Sequence, residues 1–63
     1  MEKKIFIVTT IEGDIYGAYK AYSEDDIFIF LCKRSHGENY TENQLLSLQD
    51  RLYIDLVKEI IEI

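Results

Sequence analysis

Two runs rich in β-branched and aromatic residues, 4–11 and 15–22, open the chain and are separated by a short polar segment. Runs of this composition are typical of β-strands. Between them Glu12-Gly13-Asp14 is a turn signal, because glycine readily adopts positive φ. The pattern therefore predicts a β-hairpin with strands over 4–11 and 15–22.

Both faces of this hairpin carry apolar side chains. In the first strand Ile5, Ile7 and Ile11 point one way, whereas Phe6 and Val8 point the other. A hairpin with one face in water shows a cleaner alternation, and an isolated hairpin is marginal in water. We therefore expect a helix to cover one face, and another strand or another subunit to cover the other.

The segment 24–34 fits either a helix or a strand. Ser23 followed by Glu24, Asp25 and Asp26 indicates a helix N-terminus, since serine caps helices and carboxylates favour the positive end of the helix dipole. Two cations and a glycine stand where such a helix would end. The apolar run between these signals fits a buried strand equally well. The capping pattern favours the helix, and the strand alternative gives a three-stranded meander.

A second helix is predicted over 42–61. Thr41 and Gln44 match a capping box, with the threonine as N-cap and the glutamine at the third helical position. An apolar stripe follows at helical spacing. Its members are Leu45, Leu46, Leu48, Leu52, Tyr53, Leu56, Val57 and Ile60.

The end of this second helix has an alternative. Asp55, Glu59 and Glu62 share one helical face and do not alternate as strand residues do, which favours a helix. Otherwise the helix stops near Arg51 and 53–63 forms a last strand.

The apolar content is high for so short a chain. Of 63 residues 48% are hydrophobic, including five Tyr and three Phe. Small domains bury a smaller fraction of their surface than large ones do. Cys32 is the single cysteine, so no intramolecular disulfide forms, which is typical of a reducing cytoplasm. We predict a small single-domain α+β protein, a hairpin or three strands packed on one or two helices, that associates as a homodimer or with a partner.

Charge and motifs exclude several classes of function. The net charge of −5 argues against direct nucleic-acid binding and against anionic lipid, both of which need basic surfaces. No apolar stretch is long enough to span a membrane. Cys32 and His36 are too few for a zinc site, and no nucleophile, base and orienting group converge in the pattern. We expect a non-enzymatic protein without cofactor or metal.

Tyrosines and one acidic triplet are the candidate binding residues. Tyrosine is amphipathic and enriched at interfaces, although core filling is its ordinary alternative. The triplet either contacts a basic partner or simply caps a helix. The candidate interface residues are Tyr16, Tyr19, Tyr22, Glu24, Asp25, Asp26, Tyr40 and Tyr53.

The first half of the chain carries one resemblance. It rests on Ile5-Phe6-Ile7-Val8-Thr9-Thr10, on Gly13-Asp14-Ile15-Tyr16-Gly17-Ala18-Tyr19 and on Tyr22-Ser23-Glu24-Asp25-Asp26. This stretch resembles small uncharacterised phage and prophage proteins, in which a strand ending in threonine, a turn and a second strand lead into a capped helix. The resemblance implies a mobile-element origin and a non-enzymatic accessory role in the host cytoplasm, such as binding and inhibiting a host defence protein. It carries over no functional residue.

Two other functions fit the same sequence. An acidic chain could imitate DNA and inhibit a nucleic-acid-binding protein, which requires carboxylates spread along one face. A dimer could also hold a small ligand or nucleotide signal in a pocket at its seam.

Overall fold

Three strands and two helices follow one another along the chain. β1 spans Lys4–Thr10, β2 Ile15–Ala21, α1 Glu24–His36, α2 Glu42–Arg51 and β3 Leu52–Leu56. The computed structural model describes residues 2–61 and 63. The strands form one antiparallel sheet in the order β2-β1-β3. The fold is therefore a small single-domain α+β fold, as the sequence predicts.

The predicted hairpin is present, and each strand ends one residue earlier than expected. The Gly13 N–H donates to the Thr10 carbonyl at 2.9 Å, and the Thr10 N–H donates to the Asp14 carbonyl at 2.8 Å. Gly13 has a φ of 92°, a backbone conformation that residues with a Cβ rarely adopt. Ile11, predicted as the last residue of the first strand, lies in this turn.

The segment 24–34 is helical, which confirms the alternative that the capping pattern favours. The Asp26 N–H donates to the Ser23 Oγ at 3.3 Å, so the predicted N-cap is made. At the other end the Gly37 N–H donates to the Lys33 carbonyl at 2.7 Å, and Gly37 has a φ of 82°. The helix runs two residues beyond its predicted end.

The capping box before α2 is also present. The Gln44 N–H donates to the Thr41 Oγ1 at 3.2 Å, and the Thr41 N–H donates to the Gln44 Oε1 at 2.9 Å. These two bonds satisfy N–H groups that the first helical turn leaves free.

The predicted helix over 42–61 is wrong beyond Arg51. Leu52 is extended, with φ −125° and ψ 145°, and β3 begins there. The hairpin satisfies one edge of β1, and β3 pairs with the other, from Thr10 opposite Leu52 to Phe6 opposite Leu56. This long-range pairing satisfies backbone groups that would otherwise form a second exposed edge on β1.

The alternative of an early helix end followed by a strand is closer to the structure, but the strand is shorter than 53–63. Pairing extends one step past β3, where the Val57 N–H donates to the Ile5 carbonyl at 2.9 Å. Residues 58–61 and 63 have no regular structure. Glu62, part of the predicted acidic helix face, lies outside the described residues.

The core lies between the sheet and the two helices. Its buried members are Phe6, Val8, Ile27, Leu31, Cys32 and Leu52. Phe6 and Val8 therefore face the helices, which confirms that a helix covers one side of the hairpin. Tyr19, Ala21, Phe28, Leu48 and Ile54 pack around this cluster.

Truncating Leu31 to alanine should cost about 3 kcal/mol of the free energy of unfolding, because the side chain is fully buried and a cavity would remain. Small domains have a total stability of about 0.05–0.15 kcal/mol per residue, so this loss is a large share. Urea unfolding followed by circular dichroism, at one chain concentration, measures it. Leu46→Ala on α2, where the side chain is 50% exposed, is the control and should lose much less. Equal losses would contradict the assigned core.

Removing the capping box should weaken α2. Thr41→Ala deletes the hydroxyl that accepts the Gln44 N–H and should cost about 1 kcal/mol. Ser35→Ala, in the exposed last turn of α1, is the matched control and should change stability by less than about 0.5 kcal/mol. The same urea titration compares them, and an unchanged midpoint for Thr41→Ala would rule out the cap as a stabilising contact.

Candidate interaction surface

The sheet face opposite the helices is uncovered in the described part of the chain, and we call it the outer face. Because successive strand residues point to opposite sides, the pairing register assigns its members. Three cross-strand rows result: Ile15, Thr9 and Tyr53; then Ala18, Ile7 and Asp55; then Lys20, Ile5 and Val57. Ile5 and Ile7 lie on the central strand of this face, and Ile15 lies at one corner.

The outer face is apolar at its centre and carries few charges. Ile7 and Val57 are half-buried, whereas Ile15 and Tyr53 are 76% and 59% exposed. Three strands about 4.8 Å apart and about 20 Å long cover on the order of 300 Å². Exposed apolar patches of this size or larger on a small protein are frequently interaction sites.

Lys20 and Asp55 are the charged residues of the outer face, and they lie in different rows. Asp55 is exposed beside the central Ile7, so a partner that covers this face also covers a carboxylate. A buried carboxylate requires a cation or several donors opposite it. The arrangement therefore suits binding of an apolar surface that carries a Lys or Arg.

The structure separates the predicted interface tyrosines. Tyr53 lies on the outer face. Tyr16 is the extra residue at a register shift in β2, and it borders a shallow hollow on the helix side with Leu48 and Leu52. Tyr40 is half-buried in the connection between the helices. These three tyrosines do not form one surface.

A second hollow brings together Tyr19, Tyr22 and Asp26. It lies between β2 and α1, has a volume of about 320 Å³, and we call it the β2–α1 groove. Tyr19 is half-buried on the helix side of the sheet, and its ring centroid is 6.1 Å from that of Phe30. Tyr22 is exposed, with the Lys3 Nζ 5.5 Å from its ring centroid.

The acidic triplet occupies the first turn of α1. Glu24, Asp25 and Asp26 are exposed, and the Asp26 N–H takes part in the N-cap. Their position beside the positive end of the helix dipole accounts for three carboxylates in succession. Asp26 alone lines the β2–α1 groove.

Sequence reasoning missed the isoleucines of the outer face. Ile5, Ile7 and Ile15 belong to its apolar surface, yet the tyrosines were selected for their residue type. The signal was present in the first strand, where Ile5 and Ile7 share one parity and the buried Phe6 and Val8 share the other.

The residues with reactive side chains do not assemble. Cys32 is fully buried in α1, whereas His36 is exposed in its last turn. Among residues 2–61 and 63, no three His, Cys, Asp or Glu side chains are grouped so that they could hold a metal ion. Neither α1 nor α2 has the length and apolar character needed to cross a bilayer.

Comparisons with protein-family models, with curated proteins and with solved structures found no match for this chain.

Proposed function

We propose that this chain is a non-enzymatic binding protein that inhibits another protein by covering it with the outer face. One observation carries the proposal: the described residues leave open an apolar sheet face that is centred on Ile5 and Ile7. Two-layer folds bury one face of a sheet, and an open apolar second face favours association.

Burial of the outer face is a substantial but incomplete driving force. About 300 Å² of largely apolar surface corresponds to about 7 kcal/mol at 25 cal/mol per Å². Association costs on the order of 4–15 kcal/mol in lost translational and rotational freedom, so the target must also contact the chain beyond the outer face. Within the outer face, the exposed Tyr53 is the side chain expected to contribute most, since tyrosine is enriched among residues that dominate binding energy.

Charge narrows the class of target. The net charge of −5 and the carboxylate of Asp55 within the patch favour a target with basic groups around an apolar site. The resemblance of residues 5–26 to small phage and prophage proteins makes a host protein, and a defence protein in particular, our proposed target class. Inhibition would then follow from steric coverage of the target's working surface.

Replacing Tyr53 and Ile5 together by threonine should weaken target binding at least about tenfold, because both side chains belong to the outer face and threonine keeps β-propensity. The immobilised chain is exposed to bacterial lysate, the retained protein is identified, and its affinity is measured with purified components. The matched control is Leu46→Gln, which removes an exposed apolar side chain from α2. A target retained equally by all three proteins would contradict the outer face as the binding surface.

The purified target should lose activity as the chain is added up to one equivalent, and should keep binding it in raised salt. An apolar contact is little screened by salt, whereas a mimic of DNA phosphates loses affinity steeply. Affinity that collapses in salt and competes with DNA would instead support the DNA-mimic alternative. A target that is bound but fully active would contradict inhibition.

A further inference from the structure

The segment after β3 exposes several isoleucines. Ile60 and Ile61 are 75% and 71% exposed, and Ile63 is fully exposed. Burial of such apolar side chains favours association. The segment 58–63 combines these isoleucines with three charged residues, and in an extended conformation Glu59, Ile61 and Ile63 would share one side.

The opposite edge of the sheet offers a place for such a strand. β2 pairs with β1 along one edge, and no described strand pairs with its other edge. The β2–α1 groove lies between the last residues of β2 and the first half of α1, and its lining includes Tyr19, Ala21 and Phe30. A free strand edge next to a helix is the geometry that accepts an extended segment by β-augmentation, in which backbone bonds give affinity and side-chain hollows give specificity.

We propose that segment 58–63 of one copy of this chain binds as a fourth strand in the β2–α1 groove of a second copy, and that the exchange is reciprocal. The lengths agree, since six extended residues span about 20 Å and the seven residues of β2 span about 23 Å. The exchange gives a closed two-fold dimer in which each copy supplies the same segment and the same groove.

The segment cannot fill the groove of its own copy. It leaves the sheet from β3, on the far side of β1 from β2. At about 4.8 Å per strand, the free edge of β2 lies about 14 Å away, which consumes about four of the six residues at about 3.3 Å each. About two residues of segment 58–63 would remain to pair with β2, so this segment reaches the groove along its length only in a second copy.

Charge on the two surfaces is complementary. Lys3 and Lys20 border the β2–α1 groove, Lys20 from the outer-face side of β2, and among the described lining residues Asp26 is the acidic one. The segment places Glu59 and Glu62 among its isoleucines, with one cation, Lys58. A strand with a net positive charge would be repelled by Lys3 and Lys20. Segment 58–63 instead brings two carboxylates to the lysines of the groove.

The exchange leaves the outer face of both copies open, because added strands extend a sheet in its own plane. Dimerisation and target binding are therefore measured separately, and loss of one does not imply loss of the other. The dimer rests on the segment and the groove, and the proposed function rests on the outer face.

Light scattering coupled to size-exclusion chromatography tests the dimer on the full chain. Ile61→Asp should raise the dimer dissociation constant about ten- to hundred-fold, since it removes an apolar side chain and sets a carboxylate against the apolar part of the groove lining, Tyr19, Ala21 and Phe30. Ile11→Asp, at a 58% exposed isoleucine of the hairpin turn, is the matched control and should remain dimeric. A monomeric wild-type chain would overturn the proposal, as would an Ile61→Asp variant that dimerises normally.

Zero-length carbodiimide cross-linking of mixed light and ¹⁵N-labelled copies locates the contact. We expect links from Lys3 or Lys20 of one copy to Glu59 of the other in mixed-isotope pairs. Links confined to one isotope would contradict exchange. A dimer that survives Ile61→Asp but dissociates when Tyr53 and Ile5 become threonine would assign the self-contact to the outer face and overturn the proposal.

Discussion

The fold depends on β1 being hydrogen-bonded along both of its edges. The turn at Gly13 brings β2 to one edge, and the chain returns after two helices to place β3 on the other. Once β1 is central, Phe6 and Val8 point to one side, and the helices must lie there to bury them. The side chains of opposite parity, Ile5 and Ile7, face the uncovered side of the sheet as a result of the same arrangement. Core and candidate surface are thus two consequences of one strand placement.

Local features of the fold were predictable from the sequence, and the long-range pairing was not. The hairpin turn and the caps at Ser23 and Thr41 depend on a few neighbouring residues, and all three are made as predicted. The last strand was only the alternative prediction, with a longer range, because Leu52 and Leu56 satisfy a helical spacing as well as a strand parity. What decides between them is an unsatisfied edge of β1, which lies far away in sequence.

The existence of the candidate surface was predictable from the sequence, whereas the residues that form it were not. Parity in the first strand already implied an apolar second face and something to cover it. Residue type then selected tyrosines, and the structure distributes them over both sides of the sheet. Tyr19 packs toward the helices, and the register shift at Tyr16 removes that side chain from simple alternation. A shift of register is not visible in composition, because it arises from how two strands fit each other.

The two proposed contacts can coexist because they use perpendicular directions of a thin molecule. The Cα atoms extend over 42 × 31 × 14 Å, and the radius of gyration of 12.6 Å exceeds the value of about 11 Å expected for a compact chain of this length. A single helical layer on a three-stranded sheet produces this flat shape. A flat sheet has two free edges in its plane and one open face normal to it. The proposed strand exchange at the β2 edge would add a strand to each sheet and widen its open face, so self-association would enlarge the surface offered to a target.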